Sequence, residues 1–129
     1  MANIQRLYPT GMGFCQVVVG TGQRHIHISG QVSIDADGTL VGKGDLAAQT
    51  VQVMKNLERG LTEASATFDD LVKITVFVVN YDPAMREEIL DIRGQFISKE
   101  AGPASTLVGV QSLVGPEFLI EIEGYAIAD

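Results

Sequence analysis

Two segments near the C-terminus decide the fold: Gly102-Pro103-Ala104-Ser105-Thr106-Leu107-Val108-Gly109-Val110 and Leu119-Ile120-Glu121-Ile122-Glu123-Gly124-Tyr125-Ala126. Gly102-Pro103 breaks the preceding chain. Ala104 to Gln111 and Glu117 to Ile127 then read as the last two strands, with Gly115-Pro116 in the turn between them. Side chains alternate along a strand, so Glu121 and Glu123 share one face, about 7 Å apart. Two carboxylates placed this way repel each other unless something pairs with them.

Working back from these segments, Leu71 to Asn80 is β-branched and aromatic and reads as a strand. Val72, Ile74, Val76 and Val78 form one face, and Thr75, Phe77 and Val79 the other. Both are apolar, so both are expected to be covered. Asp82-Pro83 opens a helix, with Asp as N-cap and Pro at the first helical position; Met85, Ile89, Ile92 and Phe96 are its buried stripe. Asp45 caps an earlier helix running to about Ala64, where Leu46, Thr50, Val53, Leu57 and Leu61 recur at three- and four-residue spacing. Phe14 to Val19 and Arg24 to Gln31 read as strands joined by Gly20-Thr21-Gly22-Gln23, a hairpin signal. Asp35-Ala36-Asp37-Gly38 is a turn, and Thr39 to Val41 is a candidate short strand.

The pattern is a single α+β domain over residues 1–129, a mixed sheet of five to six strands with two helices packed on one face. Two helices cover only one face of such a sheet. Phe77, Val79, Leu107 and Leu119 would load the other with apolar side chains, a patch that a monomer rarely exposes. Self-association through the helix-free face is therefore expected.

Composition narrows the function. The hydrophobic fraction is 46% and the charged fraction 19%, the balance of an ordered globular chain. Nine Lys and Arg against sixteen Asp and Glu give a net charge of −7, which argues against nucleic acid and anionic membrane surfaces as partners. Cys15 is the one cysteine, so no internal disulfide forms. No leader pattern and no apolar run of about 20 residues is visible, so a cytoplasmic protein is expected.

Several short motifs, in order and at compatible spacing, carry a resemblance over essentially the whole chain. They are Phe14-Cys15-Gln16, Ser29-Gly30-Gln31, Gly44-Asp45 through Ala48-Gln49-Thr50 with Asn56-Leu57, Pro103-Ala104 and Ile120-Glu121-Ile122-Glu123. The chain resembles the reactive intermediate deaminase (Rid, YjgF-like) family, in an arginine-lacking branch. The resemblance implies a chorismate-mutase-like fold, a homotrimer, and a small-molecule cleft at each subunit boundary. It implies an activity without a cofactor.

Family members carry Pro-Ala-Arg-Ser where this chain has Pro103-Ala104-Ser105-Thr106. That arginine clamps the carboxylate of an imine or enamine acid through two charge-assisted hydrogen bonds, which one serine hydroxyl cannot replace. Among the other arginines (Arg6, Arg24, Arg59, Arg86 and Arg93) none is placed by sequence to reach the same spot. Leu107 stands where relatives often carry Cys, and Phe14 where they carry Tyr, so the pocket is expected to be smaller and more apolar. Gly30 would offer its N–H to an anion beside Ser29. The resemblance makes Glu123 a water-positioning base; a glutamate that is solvated or salt-bridged across an interface is the plainer alternative. For Ser105 the plainer alternative is a small strand residue at an interface.

These expectations give a deaminase that hydrolyses an imine or enamine with atypical specificity, with aminomuconate-type deaminases as a precedent in the wider family. The alternative is a metabolite-binding trimer without turnover. His25 and His27 lie two apart on a strand and lack further ligands for a metal, so two imidazoles stacked on the trimer-facing side are expected. Cys15 has no evident basic partner and is expected to be a buried or half-buried thiol.

Overall fold

The computed structural model describes residues 1–129. Six strands and two helices follow in the order β1 (Asn3–Pro9), β2 (Cys15–Thr21), β3 (Arg24–Gln31), α1 (Leu46–Glu63), β4 (Leu71–Val79), α2 (Met85–Arg93), β5 (Ala104–Val110) and β6 (Ile120–Ala128). The sheet order is β1-β2-β5-β4-β6-β3. β4 lies at its centre, parallel to β5 and antiparallel to β6. Both helices lie on one face.

α1 starts where its cap dictates: the Asp45 carboxylate accepts from the Ala48 N–H, and Ala64 ends the helix. Val53, Leu57 and Leu61 of α1 are buried against Ile74, Val76 and Val78 of β4 and Ile120 and Ile122 of β6. Each such side chain contributes about 1.5–3 kcal/mol when removed from water. Polar residues within α1 fasten loops to this core. Gln49 is fully buried, donates to the carbonyls of Gly42 and Glu117 and accepts from the Leu119 N–H. Asn56 donates to the carbonyls of Val32 and Ile34, holding the chain that leaves β3. Both residues thus satisfy backbone groups that would otherwise be orphaned under the helix.

The structure departs from the sequence expectations at several points. The sixth strand is Asn3–Pro9; Thr39–Val41 forms no strand, and only an isolated bridge joins Ile34 to Leu40. β2 and β3 are not a hairpin. β2 pairs with β1 along its length and with β5 only at Cys15, whereas β3 pairs with β6. β2 crosses the end of the sheet on the helix-free face, where a Cβ at Gly20 would lie 2.7 Å from Ile127 Cδ1 and 3.2 Å from Val72 Cγ1. Val72 reaches that face because a bulge between Leu71 and Lys73 shifts the β4 register, leaving Leu71 and Ile74 both in the core. Asp82 caps a leading turn by accepting from the Ala84 N–H, and Ala84 is the N-cap of α2. Leu107 pairs with Val76, a core residue, and so faces the helices. Phe77 does lie on the helix-free face, paired with Val108 and Glu121, and Val108 and Tyr125 are 40% and 43% exposed there. His27 packs edge-on against Tyr125, 4.7 Å between centroids, rather than stacking on His25. Cys15 is buried. No helix is long and apolar enough to cross a membrane.

Candidate functional site

The backbone hydrogen bond from Cys15 N to the Pro103 carbonyl, at 3.0 Å, joins the start of β2 to the start of β5. The approach is close enough that a Cβ at Gly102 would collide with the Gly13 carbonyl, which requires glycine there. This contact sets Phe14 beside Ser105. At the other end of β4, Asn80 takes a left-handed conformation (φ 52°) and turns the chain toward α2. Gly109 leaves room for the next residue, since a Cβ on it would stand 3.0 Å from Tyr81 Cβ. The result is a cleft of about 270 Å³ between β5 and α2. Phe14, Ser105 and Leu107 line it from the sheet side, and Tyr81, Arg86, Leu90 and Arg93 from the other.

The cleft is not the apolar pocket that the sequence suggests. Arg93 Nη1 donates to Ser105 Oγ at 3.1 Å, so a guanidinium does reach the position where the β5 arginine is missing. Arg93 is 4% exposed, and its buried Nε has no hydrogen-bond partner. Burial lowers its pKa to about 10. The one ion pair in the chain joins the N-terminal ammonium to Asp129, so no carboxylate neutralises Arg93. A desolvated, unpaired cation is expensive to fold around, and such groups concentrate at functional sites.

The other arginines sort by what they touch. Arg24 donates to the carbonyls of Asp129, Ala64 and Ser65, and Arg6 to that of Asp69; these two bind backbone. Arg59 donates to Asn56 Oδ1. Arg86 donates to the Met12 sulfur, at 3.6 Å, and lines the cleft two helical turns from Arg93. Arg86, Leu90 and Arg93 follow i, i+4, i+7 spacing, which puts them on one side of α2. That spacing is the sequence signal for this face: Arg93 also stands four residues after Ile89, within the buried stripe.

The remaining candidates lie on the opposite face of the sheet. Glu121 pairs with Phe77 and Glu123 with Thr75, whereas Ser105 pairs with Ile74, on the helix side. One chain therefore cannot bring either glutamate to Ser105. A Cβ at Gly30 would collide with the Glu121 carboxylate, so Gly30 and Glu121 are packed together, beside the exposed Ser29. Glu123 faces Lys73, whose Nζ donates to Thr106 Oγ1 at 2.6 Å. Burial lowers the Lys73 pKa, and the Glu123 charge partly opposes the shift. No group of three or more His, Cys, Asp and Glu side chains is arranged to hold a metal.

A six-stranded mixed sheet with two helices on one face, and a cleft between its fifth strand and second helix, defines a small α+β protein of the Rid fold. Residues 4–128 match the family model described as Endoribonuclease L-PSP, and the chain belongs to that family, which holds the YjgF, RutC and Rid proteins. It is 35% identical over 103 residues to a RutC family protein of Pyrococcus abyssi, covering 78% of this chain and 76% of that one. It is also similar to the crystal structure of YyfB, a Rid family protein of unknown function from Yersinia pestis. There the TM-score is 0.89 and the identity 40%, over 97% of this chain and 98% of the other. Similarity to RidA from an Antarctic Psychrobacter is looser, with a TM-score of 0.72 and 25% identity over 88% and 87% of the two chains.

Proposed function

We propose that this chain is a cofactor-independent deaminase of the Rid type, hydrolysing the imine or enamine of a small carboxylic acid. The observation that carries this reading is the Arg93–Ser105 contact: a buried guanidinium without a counter-ion, at the end of a cleft sized for a small metabolite. A substrate carboxylate would supply the missing anion through charge-assisted hydrogen bonds. The Tyr81 hydroxyl offers the polar group that Phe14 lacks, and Leu90 and Leu107 hold the aliphatic part. Water adds to the C=N carbon while a proton passes to the nitrogen; the tetrahedral carbinolamine then collapses to a carbonyl and releases ammonia.

A carboxylate must orient that water. Glu121 and Glu123 lie on the far face of the sheet, which supports a homotrimer in which a neighbouring copy brings this face, with Ser29 and Gly30, to the cleft. The packing of Gly30 against Glu121 favours Glu121 alongside Glu123 as the water-orienting group. Val108 and Tyr125, exposed on that face, fit the same association. RNA cleavage, which the family description raises, finds no support in a net charge of −7 or a 270 Å³ cleft.

The test is ammonia release from imines generated in situ by an amino-acid oxidase. The expected result is a rate above buffer that falls on Arg93→Gln and on at least one of Glu121→Gln and Glu123→Gln. A rate equal to buffer for every imine overturns the enzyme. Binding without turnover would instead identify a metabolite-binding trimer, a reading favoured by the absence of any carboxylate from the cleft of a single chain.

A further inference from the structure

We infer that the cleft is built for a ligand with two anionic groups, one held by Arg93 and the second by Arg86 at the mouth, so that the preferred substrate class is a dicarboxylate. This rests on the reading of the cleft as the substrate site and adds the chemistry of the substrate's far end. Arg93 and Arg86 are the only charged residues lining the 270 Å³ cleft, and neither is ion-paired in a chain that carries a net charge of −7. No Lys or Arg side chain of the protein is ion-paired, so what sets this cleft apart is that both of its charged residues are cations and that one of them, Arg93, is buried.

The arrangement also sets the order of groups along the ligand. Arg93 and Ser105 form the closed end, since Arg93 is 4% exposed. Leu90, Leu107 and Phe14 give an apolar middle. Arg86 is exposed, and seven residues of helix put its Cα about 10 Å along the axis from that of Arg93. With Arg93 held on Ser105 and Arg86 exposed and able to swing, that separation suits a short methylene spacer. Beyond Arg86 lies a second cavity of about 410 Å³, where Glu87 and Asp91 join Arg86 and Lys99. The two carboxylates balance the two cations there, so that cavity has no excess positive charge to draw an anion past Arg86.

The experiment is calorimetric titration of glutarate and pentanoate, five-carbon acids that differ in the second carboxylate. The wild type is expected to bind glutarate about tenfold more tightly, the value of one charge-assisted hydrogen-bonded contact. Arg86→Gln should bring glutarate down to the level of pentanoate, and Arg86→Lys should keep part of the preference. Equal binding of both acids by the wild type overturns the inference and leaves the deaminase standing. Equal weakening of both acids by Arg86→Gln overturns it as well. If neither acid binds, or if Arg93→Gln weakens neither, this inference and the reading beneath it fall together.

Discussion

Arg93 on α2 donates to Ser105 on β5 at 3.1 Å. A cation therefore stands over the position where relatives place an arginine on the strand itself. The hydroxyl of Ser105 accepts one hydrogen bond and leaves the rest of the guanidinium to a ligand. On the proposed function, this shift of the cation from strand to helix makes Ser105 a support for the carboxylate site.

Replacing Arg93 should separate binding from stability. Arg93→Met should lower the affinity for a 2-oxo acid by about 2 kcal/mol or more, as expected for losing one partner of a buried charge pair. Because the wild-type guanidinium is buried without a counter-ion, an apolar side chain of similar length should also stabilise the free protein, on the order of 1–4 kcal/mol. Thermal unfolding alongside titration checks both signs.

The pH dependence follows from the same burial. With its pKa lowered to about 10, Arg93 binds fewer protons folded than unfolded between about 10 and its ordinary value. Its unfavourable contribution to stability is thus fully present below about 10 and is relieved as pH rises beyond it. Ligand affinity should run the other way, because the anion needs the charged form: carboxylate binding should fall as pH passes about 10. The same titration on Arg93→Met should lack this step.

Moving the cation back to the strand is a further test. Ser105→Arg alone sets two guanidinium groups side by side and should destabilise the chain through like-charge repulsion. Combining Ser105→Arg with Arg93→Leu should restore part of the carboxylate affinity that Arg93→Leu removes. A double-mutant cycle on titration and unfolding data measures this coupling.

Much of the scaffold is legible in the sequence because local chemistry sets it. Asp45 fixes the start of α1, and β3 spans Arg24 to Gln31 as its alternation suggests. Strand pairing is less legible. Gly22 mimics a hairpin turn, yet its place follows from tertiary crowding, since a Cβ there would lie 2.7 Å from Ile127 Cγ2 and 2.9 Å from the Ala128 carbonyl. The bulge at Leu71–Lys73 turns Val72 to the other face by the same kind of nonlocal demand. At the site, Phe14, Ser105 and Leu107 do meet in one cleft. The contribution of Arg93 depends on how α2 packs over β5, which no local pattern encodes.

Gly30 offers a test on the opposite face. Gly30→Ala would push its methyl group into the Glu121 carboxylate. The flexible Glu121 side chain can swing aside, so the expected stability cost is under about 1 kcal/mol, with a loss of ammonia release if Glu121 orients the water. Denaturant unfolding and the oxidase-coupled assay read the two effects separately.

The most direct measurement is a crystal structure with a 2-oxo acid at saturating concentration, as a stable stand-in for the imine. The carboxylate is expected on the Arg93 guanidinium, within reach of Ser105 Oγ, with a glutamate of a neighbouring copy facing the carbonyl carbon. A ligand bound elsewhere, with Arg93 still unpaired in the cleft, would contradict it.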